Sequence, residues 1–391
     1  MKIYHQLGYR YNWNIESLNQ DHTGNGVILN PRHITSSELE RINFPKSKMI
    51  FDPQFFIPSQ SIGGLSSYTF YPNQVVNNFS TASYTINETT EIAKNCLDFQ
   101  VENDFEFIVI PSRPYGINVE EYITEQEKFL IYPFLDDLKS RNIDKKIILQ
   151  VVINQNFILD KTYFDEFVNW IVSINGIDGV YLLIEHNFRT KQIEDIDFLF
   201  GLMNLIYILN TLNEKFIILG YLNLESLLLS IAGPNIITIG SFENLRRFKV
   251  DDFKPKDPGE RRHGPTPRIY ISKLIQLIDF RYKDSLLSEF GKHIFDYNKY
   301  QALMFQPTYN WNFQKPELYK HYFLVFSEQL NLLSPLPLNE RYFLFKSMVQ
   351  DSINFYEKLE EVITFDKESQ GNHLPKWLTA ANRFAKLRGW I

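Results

Sequence analysis

The feature that most constrains this chain is an alternation of short apolar runs, each ending in polar residues, with stretches long enough to form a helix. Runs at 27–30, 49–52, 105–111, 146–153, 180–185, 216–221, 236–240 and 268–272 read as strands, with helical spans such as 36–41, 88–97, 119–141, 163–174 and 193–212 between them. Parallel strands give this pattern, because each parallel pair needs a long crossover connection. Eight strands is the number that closes a (β/α)8, TIM-type barrel, so an α/β barrel is the expected fold. An open doubly wound sheet is the structural competitor, since sequence does not show whether the first and eighth strands meet.

The alternation weakens after 240. Residues 242–248 leave room for only a short seventh helix, and 249–267, rich in Pro, Gly and charge, reads as a loop. Past the eighth run the strands stop, and 273–287, 319–332, 340–362 and 375–387 read as helices. The expected organisation is a barrel over residues 1–285, with a helical C-terminal extension over 286–391 packed on or beside it.

Composition enters by exclusion. A single cysteine, Cys96, rules out an internal disulfide and a Cys-rich zinc site. Residues 1–5 lack the basic and then apolar pattern of a signal peptide, so a soluble protein of the reducing cytoplasm is expected. The longest greasy stretch, 198–209, contains Gly201 and Asn204 and falls short of the ~20 residues needed to cross a bilayer, so no membrane partner is expected. With 33 Phe and 22 Tyr in the chain, an aromatic stretch such as 68–71 reads as packing before it reads as a stacking site.

In a barrel the strand C-terminal ends and the loops after them share one mouth. The polar residues placed there are Asn30 and Arg32, Asp52 and Gln54, Arg113, Asn154, Glu185 and His186, Tyr221, Gly240, Ser241, Asn244 and Arg246, and Lys273. Asp52 and Glu185 are the acid/base candidates, with His186 adjoining, because partial burial at a mouth raises a carboxyl pKa toward neutrality. The plain alternative has Asp52 capping the turn before Pro53 and Glu185 pairing with an arginine. Asp52, Glu185 and His186 also offer metal-ligand chemistry, but no HExxH pair or Cys/His spacing accompanies them, and no metal is expected.

The Gly240-Ser241 turn, followed by Arg246 and Arg247, stands at the late-strand position where barrels often hold phosphate, with Lys273 expected from the next loop. The plain reading is a turn with solvated arginines. Lys254, Lys256, Arg261, Arg262, His263 and Arg268 belong either to a solvated insertion or to a mobile lid that recruits an anion. No Walker loop, GxGxxG or GxSxG occurs, Cys96 lies in a crossover helix, and the cofactor is unknown.

The expected function is a barrel enzyme applying acid/base chemistry to an anionic small molecule: a phosphorylated sugar, a nucleotide or another base-containing ligand. Hydrolysis or glycosyl-bond chemistry is preferred over redox chemistry. The alternative is a noncatalytic barrel subunit that docks a protein partner through aromatic and basic anchors at 297–311 and 377–390. Nucleic-acid recognition by Arg246, Arg247, Arg261 and Arg262 is a third reading, disfavoured by a net charge of -6.

Overall fold

The computed structural model describes residues 1–76, 79, 85–114, 119–186, 190–255 and 264–391. Its strands β1 (Lys2–Gln6), β2 (Gly26–Leu29), β3 (Met49–Phe51), β4 (Ile108–Ile110), β5 (Ile147–Asn154), β6 (Gly179–Glu185), β7 (Phe216–Gly220) and β8 (Ile236–Gly240) form one parallel sheet. Their order is β3-β2-β1-β8-β7-β6-β5-β4. The two edge strands meet at a seam where the Glu106 N–H donates to Met49 O at 2.9 Å, so the sheet is a nearly closed TIM-type barrel. Helices cover its outside, and Ile28, Ile50, Val109, Ile148 and Ile218 fill its bore. Strands buried on both faces must be apolar throughout, which is why they stand out as runs rather than as alternations.

Two strand assignments need correction. The first barrel strand is β1, which the apolar-run reading passes over. The segment at 268–272 lies outside the barrel: β9 (Arg268–Ile271) pairs antiparallel with β10 (Gln276–Asp279) in a separate hairpin. The physical reasons differ. β1 ends in the polar pair His5 and Gln6, and His5 is accommodated because Asn14 and Thr23 each bond its ring at 3.1 Å. β9 is a genuine strand, but an apolar run does not name its partner. Two helix assignments also change: 242–248 forms only a 3-10 turn at Glu243–Leu245, and the helix expected over 273–287 begins at Lys283, after β10.

The C-terminal helices pack directly on the barrel. Helix Glu317–Leu333 lies against helix Asn12–Asp21, with Tyr319 stacked on Trp13 at 5.3 Å between ring centroids, and Phe323 meets His5 of β1 edge-on at 4.7 Å. Helix His373–Leu387 packs on helix Ile196–Tyr207. Trp377, fully buried there, donates its indole N–H to Ile193 O at 2.8 Å. Trp390 packs against Phe384 at 5.6 Å. Of the expected docking anchors, Tyr300, Trp377 and Phe384 are turned inward, whereas Lys299, Arg383 and Lys386 are exposed and Tyr297 is 86% exposed. Among the described residues, no helix is long and apolar enough to cross a membrane.

Trp377→Ala should cost about 3–5 kcal/mol, the usual range for emptying a buried indole site. Urea unfolding followed by far-UV circular dichroism should shift as one transition. A split into two transitions would mean that the C-terminal helices fold independently of the barrel.

Candidate functional site

Two groups of side chains meet at the C-terminal end of the barrel. The first is a polar cluster inside the bore. Asp52 follows β3 and is fully buried. Its Oδ1 accepts from Gln150 Nε2 at 2.6 Å and from the Gln54 N–H at 3.2 Å, while the Tyr181 hydroxyl lies 3.5 Å from Oδ2 and 3.4 Å from Gln6 Oε1. Gln54 Nε2 donates to Asn30 Oδ1 at 2.7 Å and to the Tyr221 hydroxyl at 3.0 Å, and Gln54 Oε1 accepts the Arg32 N–H at 3.1 Å. Gln54 (φ 57°) and Tyr221 (φ 54°) both hold left-handed backbone. For a side chain other than glycine that conformation costs on the order of 1–3 kcal/mol, and such residues gather at functional sites.

Phenylalanines seal this cluster. Phe56 packs edge-on against Phe248 and Phe253, at 4.9 and 4.7 Å, and Phe248 also meets the Tyr221 ring at 5.5 Å. The Arg32 guanidinium lies 5.1 Å from the Phe253 ring, and Glu185 Oε1 accepts the Val250 N–H at 2.8 Å, pinning the segment between the two rings. Burial pushes the Asp52 carboxyl up to about 7, against hydrogen bonds from Gln150, Gln54 and Tyr181 that favour its charged form.

The second group is a cavity of about 610 Å³ beside the cluster, bounded by the loops after β1, β6 and β8, the β9–β10 hairpin and helix Glu317–Leu333. Among the described residues, four cations line it: Lys191, Arg246, Arg247 and Arg268. Lys191 pairs with Glu243 at 3.2 Å and Glu368 at 2.9 Å, and Arg268 also pairs with Glu368. Among the described residues, neither Arg246 nor Arg247 has a carboxylate oxygen within 4.0 Å, and the buried Nε of each has no hydrogen-bond partner. Ser241 lines the same cavity, fully buried, with its Oγ equally unpartnered among the described residues.

Gly240 matters here for a reason other than the expected open approach to its backbone. A Cβ at this position would stand 2.4 Å from the Leu245 carbonyl oxygen, so only glycine lets the turn fold back over the end of β8. The chain then divides the two groups. Arg246, Arg247 and Asp252 line the cavity, while Phe248 and Phe253 cover the bore.

The residues anticipated from sequence therefore sort by place. Asn30, Arg32, Asp52, Gln54 and Tyr221 share the bore cluster, and Ser241, Asn244 and Arg246 line the cavity. Glu185 and His186 stand between them; burial, with Arg247 nearby, holds the His186 ring down to about 4 and hence neutral near pH 7. Three residues join neither group. Arg113 lies 3.9 Å from Glu125, Asn154 caps the Asn156 N–H at 2.9 Å, and Lys273 bonds the His293 carbonyl on the far side of the hairpin. Asn187, Lys256, Arg261, Arg262 and His263 lie outside the described residues.

Sequence reasoning misses Gln6, Gln150 and Tyr181; the signal for Gln150 and Tyr181 is a polar group at a strand position between apolar neighbours, whereas Gln6 follows His5 and carries no such mark. It also misses Glu225, after β7, which burial pushes up to about 7 despite a 2.9 Å bond from the Asn223 N–H. Cys96 is fully buried, and that burial raises its thiol. Among the described residues, no group of three His, Cys, Asp or Glu side chains is placed to hold a metal. No known family model matches this sequence, and no curated protein matches it.

Asp52 gives a pH signature. The folded carboxyl keeps its proton up to about pH 7, whereas the unfolded one loses it near the ordinary value of 3.8. Folding takes up a proton between those limits, so this group's contribution to stability falls as pH rises through the window. Asp52→Asn keeps an oxygen for Gln150 and Gln54 and has no charge to bury. Its stability relative to the parent should rise from pH 4 to 7 and then level off in urea titrations; parallel curves would refute the raised carboxyl.

Proposed function

We propose that the protein is a barrel enzyme that seats an anionic small molecule in the 610 Å³ cavity and acts on it by acid/base chemistry. The observation that carries this reading is the pair Arg246 and Arg247. Both face a cavity without an ion-pair partner among the described residues. Half-buried guanidinium groups favour an anion that can take their N–H bonds, and a carboxylate or phosphate does so in bidentate fashion. The cavity falls within the roughly 300–1,000 Å³ of small-molecule sites, and it opens at the barrel end where such enzymes keep their chemistry.

Asp52 is the proton-bearing group in this reading, because a carboxyl that titrates near neutrality both gives and takes a proton at working pH. Hydrolysis or cleavage of a glycosyl bond is the preferred reaction. Phe56, Phe248 and Phe253 close the bore in which Asp52 lies, so the segment pinned by Glu185 must move aside during turnover, as loops over barrel mouths do.

Calorimetry with pyrophosphate and sugar phosphates, followed by turnover assays on a metabolite panel, tests the proposal. Arg246→Ala and Arg247→Ala should each weaken binding by about tenfold or more, the value of a charge-assisted bond. Gly240→Ala should weaken it by displacing the turn, and Lys273→Ala should leave it unchanged. Asp52→Asn should abolish turnover while sparing affinity. Binding indifferent to both arginines would remove this cavity as the ligand site.

A further inference from the structure

We infer that the ligand of this cavity carries a flat ring beside its anion, and that a nucleoside monophosphate is the class that fits; this rests on the proposed anion site. The cavity has more than cations in its lining. Tyr9, Phe242 and Tyr319 form a continuous run of rings, with centroids 6.2 Å apart from Tyr9 to Phe242 and 4.9 Å from Phe242 to Tyr319. Trp311 and Phe313 line it as well.

Two of these rings are partly open: Tyr9, with the Arg10 guanidinium 5.0 Å from its centroid, is 55% exposed, and Phe313 is 49% exposed. In a chain that buries most of its large aromatics, two half-open rings on one cavity are an unfilled apolar surface. Trp311 adds a directional group. Its indole N–H is buried and has no acceptor among the described residues, an arrangement that is costly until one arrives.

Each ligand part answers one of these features. A nucleobase offers two π faces for Tyr9 and Phe313 and in-plane nitrogen or carbonyl acceptors for Trp311. Glu368 engages Lys191 and Arg268, and Glu243 interacts electrostatically with Arg246 and Arg247 without pairing with either, which leaves two guanidinium groups to hydrogen-bond a phosphate monoester. A sugar phosphate satisfies the arginines and leaves both rings and the indole N–H as they are. Inorganic phosphate would fill only a small part of 610 Å³.

The experiment compares the intact chain's affinity for ribose 5-phosphate with that for the 5′-monophosphates of adenosine, guanosine, cytidine and uridine. The tightest nucleotide should bind about tenfold or more better than ribose 5-phosphate, the value of one stacked base. Tyr9→Ala and Phe313→Ala, which remove half-exposed rings, should each reduce that advantage severalfold and leave ribose 5-phosphate binding unchanged. Trp311→Phe should lower it further for bases with an in-plane acceptor. Equal affinity for ribose 5-phosphate and all four nucleotides would overturn the ring inference and leave the anion site standing. Binding of neither kind of phosphate would overturn both.

Discussion

The hydrogen bond from Gln54 to Tyr221 crosses the bore. In the strand order β3 and β7 stand on opposite sides of the barrel; Tyr221 directly follows β7 and Gln54 lies three residues past β3, each with left-handed backbone. The Asp52–Gln150 bond and the Gln6–Tyr181 contact add further ties between strands that are not neighbours. The β3–β4 seam has little pairing of its own, so these side chains do at one end of the barrel what a continuous ladder does elsewhere. The bonds also explain how a carboxyl tolerates complete burial: its oxygens have donors, and its proton stays on.

From that floor the rest of the mouth follows. The polar cluster needs an apolar cover, which Phe56, Phe248 and Phe253 supply; the segment carrying two of them is anchored by Glu185. Phe248 covers the bore, while Arg246 and Arg247 just before it in the chain line the cavity. The exposed cationic surface and the sealed acidic interior are two faces of one short segment. Gly240 permits this segment to start so close to the strand, where any side chain would meet the Leu245 carbonyl.

Much of the barrel was legible because a parallel strand buried on both faces writes itself as an apolar run. Seven of the eight barrel strands are visible this way; β1 is not, because it ends in His5 and Gln6. Those two residues are polar for reasons that lie elsewhere in the chain: the Asn14 and Thr23 bonds for one, and Tyr181 across the bore for the other. Nearness to a barrel strand end is not sufficient, since Arg113 and Asn154 lie within three positions of one and join neither group. Asp52, Gln54 and Tyr221 sit within three positions of one and converge, whereas Lys273 follows a strand of the wrong sheet. The rings of the cavity were illegible as a group, since Tyr9 and Tyr319 come together only through tertiary packing.

That last separation has a kinetic consequence. β1 pairs with β8 in register from Lys2 opposite Ile236, and the helix that covers its outer side begins only at Glu317. Chains synthesised at roughly 5–20 residues per second therefore leave one edge of β1 waiting through most of translation for its partner. Contacts of such long sequence separation slow folding, because loop-closure entropy must be met before they reward it. The cavity's lining runs from Tyr9 to Tyr322, so a nascent barrel cannot enclose it until helix Glu317–Leu333 has left the ribosome.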